Sequence, residues 1–155
     1  MEKAYVRTHN GTYKTTIQIR NHTIVADEPE SGGGENAGPM PPEILAGAIG
    51  SCMAMTAIAY ARRKEWPLED VEIEIAIERF DGADYADYDG NEPFVHEIRE
   101  KVVLHGPLDE QQKKRIMQIA AKCPVRRVLK FPQFFIEEFV DEIITAEAHG
   151  ETLPE

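Results

Sequence analysis

Cys52 and Cys123 are the only thiols in the chain, and each has neighbours that bear on its chemistry. Cys52 lies in AIGSCMAM, inside an apolar run over residues 44–61. Buried cysteine is most often a small inert hydrophobe, so this setting alone argues for packing. Cys123 lies in KCPVRR. A cysteine ahead of a proline that opens a helix occupies the N-cap, where backbone amides favour the thiolate. Arg126 and Arg127 follow within one turn and lower a thiol pKa if they turn toward it. Two cysteines in a reducing compartment build no structural scaffold, so a bond between them would be transient and functional. Composition and spacing leave open whether the two thiols work together.

Other reactive groups form weaker patterns. The five histidines, His9, His22, His96, His105 and His149, are scattered at no metal-ligand spacing, and no C-x-x-C pattern exists. No metal and no cofactor is therefore expected. A G-x-S-x-G nucleophile elbow is absent, and a cysteine–histidine hydrolytic pair has no local support. The glycine-rich stretch ESGGGENAGPMPP lacks a following Lys-Ser/Thr pair and carries negative charge, so it is a loop and not a phosphate cradle. Glu72 and Glu74 alternate on one strand face and read as solvated.

Bulk properties narrow the partners. The formal net charge of −11 repels phosphate backbones and anionic lipid, which argues against nucleic-acid and membrane binding. A chain of 155 residues, 42% hydrophobic and 29% charged, is read as one domain, 1–155, with a sizeable core. The opening MEKAYVRTHNG has no apolar signal region, and the longest apolar run is broken by Gly47, Gly50 and Ser51. That run is short for a membrane span, so a soluble, cytoplasmic protein is expected.

The elements that must position the thiols follow from periodicity. Residues 1–41 hold N-terminal strands and the Gly/Pro-rich loop, with turns at Asn10-Gly11 and near Asn21-His22. Residues 42–64 form a central helix, with Glu43 at its positive end and Arg62, Arg63 and Lys64 at its negative end. This helix is apolar nearly all round, so it should be buried on every side; a small domain seldom manages that without a partner chain. Residues 65–155 hold a sheet and a second helix. VEIEIAIERF alternates with Val71, Ile73, Ile75 and Ile77 on one face, and FVHEIREKVVLHG is its companion strand. LDEQQKKRIMQIAAKC is amphipathic, with Asp109 near its N-cap and Leu108, Ile116, Ile119 and Ala120 inward. A short helix, PVRRVLK, follows; FFIEEFVDEII is predicted as a final strand, and EAHGETLPE frays. The order is ββ-α-ββ-α-β, an α+β class.

PPEILAGAIGSCMAMTAIAYARRKEWPLEDVEIEI, followed by LDEQQKKRI and IAAKCPVRRVL, resembles the OsmC/Ohr family of osmotically inducible and organic hydroperoxide resistance proteins, in its OsmC-like branch. The matching features are Pro-x-Glu-Ile-Leu before the first cysteine, Gly-Ser-Cys on the apolar helix, Tyr60-Ala61, Trp66-Pro-Leu, and Cys123-Pro124-Val125 with Leu129. The resemblance implies an OsmC-like fold, with sheets wrapped around two central helices in an intertwined homodimer. It also implies a thiol-dependent peroxidase that reduces organic hydroperoxides, and hydrogen peroxide more weakly, in oxidative-stress defence. Cys52 is then the peroxidatic thiol and Cys123 its resolving partner, reset by a dithiol reductant.

An apolar setting raises a thiol pKa, so the thiolate needs a cation nearby. The resemblance implies an arginine held by a glutamate near the start of the cysteine helix, and Glu43 matches that glutamate. It stands nine residues before Cys52, about 13.5 Å of helical rise, too far for direct contact. No arginine occurs in HNGTY or over residues 27–42, so Arg7, Arg20, Arg99, Arg126 and Arg127 are the candidates. Loss of that arginine defines the alternative, a non-catalytic OsmC-like dimer that binds ligands or senses redox state.

Overall fold

The computed structural model describes residues 3–8, 10–86 and 88–143. They form two compact units, residues 3–40 with 133–143, and Pro41–Pro132.

In the first unit, β1 (Tyr5–Thr8), β2 (Thr15–Ile19) and β3 (His22–Ala26) make an antiparallel sheet in the order β1-β2-β3. Asn10 and Gly11 both take positive φ, 51° and 68°, as the expected reversal demands. The second reversal falls at Arg20, φ 54°, and Asn21, which pairs Ile19 with His22. The sheet is therefore a three-stranded meander, as the two expected turns require, with one strand more than the order ββ-α-ββ-α-β counts. The glycine-rich loop beyond β3 closes around Asp27, whose side chain is only 2% exposed. Its Oδ1 accepts from the Glu28 N–H at 2.9 Å, and its Oδ2 accepts from the N–H groups of Glu35 at 3.0 Å and Ala37 at 3.1 Å. The Ala37 amide leads these donors in holding the carboxyl below its usual range, with help from Glu35, Glu28 and the Lys14 charge against burial.

The predicted final strand does not form. Residues 134–143 pair with no strand and expose Phe134, Phe135, Ile136 and Phe139. Alternation and aromatic content favour an extended chain, but a strand exists only where a neighbouring edge takes its backbone groups. Ile144 and the fraying expected for EAHGETLPE lie outside the described residues.

The second unit carries α1 (Pro41–Lys64), β4 (Asp70–Asp81), β5 (Phe94–His105), α2 (Glu110–Ala120) and α3 (Pro124–Lys130). Strands β4 and β5 form one long antiparallel hairpin, in register from Asp70↔His105 to Asp81↔Phe94. The alternation of β4 divides its faces as expected. Val71, Ile73, Ile75 and Ile77 pack against the core, whereas Glu72, Glu74 and Glu78 meet His105 at 2.8 Å, Lys101 at 2.6 Å and Arg99 at 3.2 Å on the exposed face. Exposed pairs of this kind contribute about 0–1 kcal/mol each, so the apolar face dominates.

Helix α1 lies on that apolar face. Gly50 makes the approach possible: a Cβ there would meet Ile75 Cγ1 at 3.3 Å. Ile49, Met53, Ala57, Tyr60 and Ala61 of α1 join Leu108, Ile116, Ala120 and Cys123 in the core. Helix α2 starts at a complete capping box. Asp109 Oδ1 accepts from the Gln112 N–H at 2.7 Å, and the Asp109 N–H donates to Gln112 Oε1 at 3.0 Å. Gly106 sets the turn before it, at φ 121° with Pro67 O only 2.1 Å from where a Cβ would stand.

Within one chain α1 is not buried on every side. Leu45 and Met55 are exposed, Met55 to 72%, and Gly47, Ser51 and Ala59 share the uncovered side. One hairpin and two short helices can enclose only part of a helix cylinder, so apolar residues remain over for the outside. Length and hydropathy alone would let this helix cross a membrane, with a best-window mean of 1.7 and 28% of that window buried.

Candidate functional site

The two thiols meet inside the second unit. Cys52 lies midway along α1 between the core and the uncovered side, and is half-buried. Its carbonyl accepts from the Thr56 hydroxyl at 2.7 Å, one turn later, so the Thr56 side chain bonds back along the helix. Cys123 is fully buried, at 0% exposure, in the three-residue step between α2 and α3. Its N–H donates to Ala120 O at 3.1 Å, and its carbonyl accepts from the Arg127 N–H at 3.1 Å. That step holds the sulfur at the end of one helix and the start of the next. Tyr60 braces the arrangement from α1: its hydroxyl accepts from Arg115 Nε of α2 at 3.3 Å, and its ring stacks edge-on with Trp66 at 5.6 Å.

Both cysteines are free thiols, and Cys52 packs against the core cluster that includes Cys123. Burial pushes the Cys123 thiol above its usual range. The Arg126 N–H faces the sulfur and opposes that shift, though it falls short of a formed N-cap bond. Cys52 adds to the rise as hydrogen-bond acceptor and as a neighbouring charge, and the Arg126 guanidinium opposes it.

The candidate cations separate clearly. Arg99 is engaged on the exposed face of the hairpin by Glu78 and Glu97. Arg127 is exposed, with its guanidinium 5.8 Å from the Phe131 ring centre. Arg7 lies on β1, and Arg20 in the β2–β3 turn. Arg126 lies in the first turn of α3, whose N-cap is Cys123. Its Nη1 donates to Glu100 Oε2 at 3.2 Å, and the two side chains are only 24% and 16% exposed. Glu43 is exposed in the first turn of α1 and is not brought to the sulfurs by its own helix.

Glu100 is absent from the sequence-based candidates, although its signal was present. On β5, Ile98, Glu100, Val102 and Leu104 share the row that lies opposite Ile77, Ile75, Ile73 and Val71. A carboxylate in an otherwise apolar, core-facing row needs a partner. Arg126 supplies it, beside a cavity of about 100 Å³ lined by Ile49, Ile98, Glu100, Arg126, Leu129 and Lys130.

A long apolar helix on a two-stranded hairpin, with cysteines at mid-helix and at a helix–helix step, defines an OsmC-type protein. The chain belongs to the OsmC-like protein family, which it matches over residues 32–137. No curated protein gives a significant sequence match. Solved structures share the fold at low identity. An OsmC-like protein from Mycoplasma pneumoniae has a TM-score of 0.68 at 17% identity, over 84% of this chain and 87% of that one. An organic hydroperoxide resistance protein OsmC from Legionella pneumophila has a TM-score of 0.61 at 15% identity, over 83% and 89%. The organic hydroperoxide resistance protein OhrB of Bacillus subtilis has a TM-score of 0.58 at 18% identity, over 83% and 90%.

Proposed function

We propose that this chain is a thiol-dependent peroxidase that reduces organic hydroperoxides through Cys52 and Cys123. The observation that carries the reading is the placing of two free thiols of unequal burial in one core, Cys52 packed against the cluster that holds Cys123. The half-buried thiol is the one a substrate can reach. In the first step the Cys52 thiolate attacks the peroxide oxygen; an S–O bond forms, the O–O bond breaks, and the alkoxide takes a proton and leaves as alcohol. Cys52 is thereby oxidised to a sulfenic acid. Cys123 then attacks that sulfur, the S–S bond forms, and the hydroxyl leaves as water. A dithiol reductant reopens the bond by two exchanges and is itself oxidised to a disulfide.

The apolar residues beside Cys52 favour an organic peroxide over a strongly hydrated one. The 155 residues act as one domain, and the uncovered side of α1 is assigned to a second copy in a homodimer. Glu43 is exposed in the first turn of α1, so its part is to hold an arginine brought by another element. No metal or cofactor enters this scheme. A net charge of −11 supports neither nucleic-acid nor membrane binding, and a cytoplasmic setting suits reducible thiols.

Steady-state turnover of an organic hydroperoxide with a dithiol reductant tests the proposal. Saturable turnover that Cys52→Ser abolishes is the expected result. A second reading, a redox-sensing dimer without turnover, is favoured by the position of Arg126 at Cys123. It predicts slow oxidation that does not saturate with peroxide.

A further inference from the structure

We propose that the cavity between α1, β5 and α3 binds a small aliphatic monocarboxylate. Arg126 and Lys130 would hold its head, and Ile49, Ile98 and Leu129 would line its chain. The cavity has a volume of about 100 Å³, and Glu100 completes its lining. Ile49 belongs to the core and is fully buried, so it closes the inner end. Ile98 and Leu129 are 38% and 44% exposed, so they form the rim where the cavity meets solvent. Apolar walls with charged groups at one side suit a ligand that has both kinds of surface.

The charges at the cavity favour an anion. Arg126 meets Glu100 through one nitrogen, its Nη1 donating to Oε2 at 3.2 Å. A guanidinium carries five N–H donors in a planar fork, so this end-on pair leaves most of them for another acceptor. Lys130 follows Arg126 by four residues on α3 and therefore shares its face. It is exposed, and among the described residues it forms no ion pair. Two cations thus stand against one carboxylate, in a chain whose net charge is −11. Glu100 occupies the core-facing row of β5, opposite Ile75. A largely covered pair held by one hydrogen bond is a weak device for stability, because apolar residues there would avoid its desolvation cost. As a binding device it serves better: Glu100 fixes the guanidinium at the cavity wall, and a ligand carboxylate takes the remaining donors and the Lys130 ammonium. Volume sets the chain length. An apolar cavity of roughly 150 Å³ admits benzene, so this one admits a chain of about four carbons, the size of butyrate.

The test follows backbone amide NMR shifts of the full-length reduced protein during titration with butyrate, with acetate and n-butanol as comparisons. Saturable shifts at Ile49, Ile98 and Leu129 are expected. Butyrate should bind about tenfold more tightly than acetate, which lacks two methylenes, and about tenfold more tightly than n-butanol, which lacks the charge. Arg126→Gln should weaken butyrate binding by about tenfold, and Lys130→Gln by about threefold. Leu129→Trp, which fills the cavity from its rim, should abolish it. Butyrate binding no tighter than that of acetate or of n-butanol overturns the proposal, as does an affinity unchanged by Lys130→Gln. Arg126→Gln leaves Glu100 unpaired; if that variant does not fold, Lys130→Gln and Leu129→Trp, both at exposed positions, decide the matter. The protein stays reduced and meets no peroxide, so failure of the dithiol reading would leave these shifts unchanged.

Discussion

The surroundings of the two sulfurs differ in kind. Cys52 belongs to a regular helix, half-covered, with small and apolar neighbours along a side left open. Cys123 belongs to a break between helices, wholly covered, and is followed one turn later by Arg126, which pairs with Glu100. The first setting offers access and little local electrostatics; the second offers electrostatics and no access. On the proposed chemistry that contrast is a division of labour. A thiol that meets a foreign molecule must be reachable, whereas one that meets only its neighbour can be sealed and tuned.

The largest expected effect comes from removing either sulfur. Cys52→Ser should reduce peroxide turnover to background. Cys123→Ser should allow the first oxidation and then drive Cys52 to sulfinic acid, seen by mass spectrometry as addition of two oxygens. Equal oxidation of the remaining thiol by peroxide in the two variants would break the contrast.

Packing comes next. Met53 and Ile116 are fully buried in the layer that brings the sulfurs together. Met53→Ala and Ile116→Ala should each cost about 2–5 kcal/mol in urea unfolding. Met55→Ala, on the uncovered side of α1, should cost far less in monomeric protein; a comparable loss there would show that this side is covered in solution.

Smaller effects probe the polar supports. Asp109→Ala removes the cap of α2 and should cost about 1 kcal/mol. Asp27 has a lowered pKa, so its stabilisation is present above the ordinary aspartate pKa of about 3.9 and is lost as pH falls through the lowered value. Asp27→Asn should flatten that acid limb. Cys123 has a raised pKa, so its contribution is present below the ordinary thiol pKa of about 8.5 and declines as pH rises beyond it. Unfolding of reduced protein across the alkaline range measures that slope, and a rise in stability there would contradict the burial of Cys123.

Much of this arrangement was legible in the residues themselves. The alternation of Val71, Ile73, Ile75 and Ile77 defines the inner face of β4 because a strand has a period of two, and Asp109 with Gln112 marks the start of α2. The placing of both cysteines in one core was not legible, since it depends on how α2 and α3 turn around Cys123. Uniform apolarity in α1 could not reveal its open side, because periodicity locates a face only where polar residues mark the other one. The stretch over residues 134–143 looks like a strand by composition, and composition cannot supply an edge. Glu100 was hidden by its surroundings: one acid among Glu97, Arg99 and Lys101 looks solvated until the register with β4 turns it inward.

The pairing of the two sulfurs is the central claim. Reduced protein should be treated with an organic hydroperoxide, its free thiols counted, and its disulfide peptides mapped. The account predicts that both thiols disappear together and that one intramolecular bond joins Cys52 to Cys123. Unchanged thiol counts across a panel of hydroperoxides, or bonds only between chains, would contradict it.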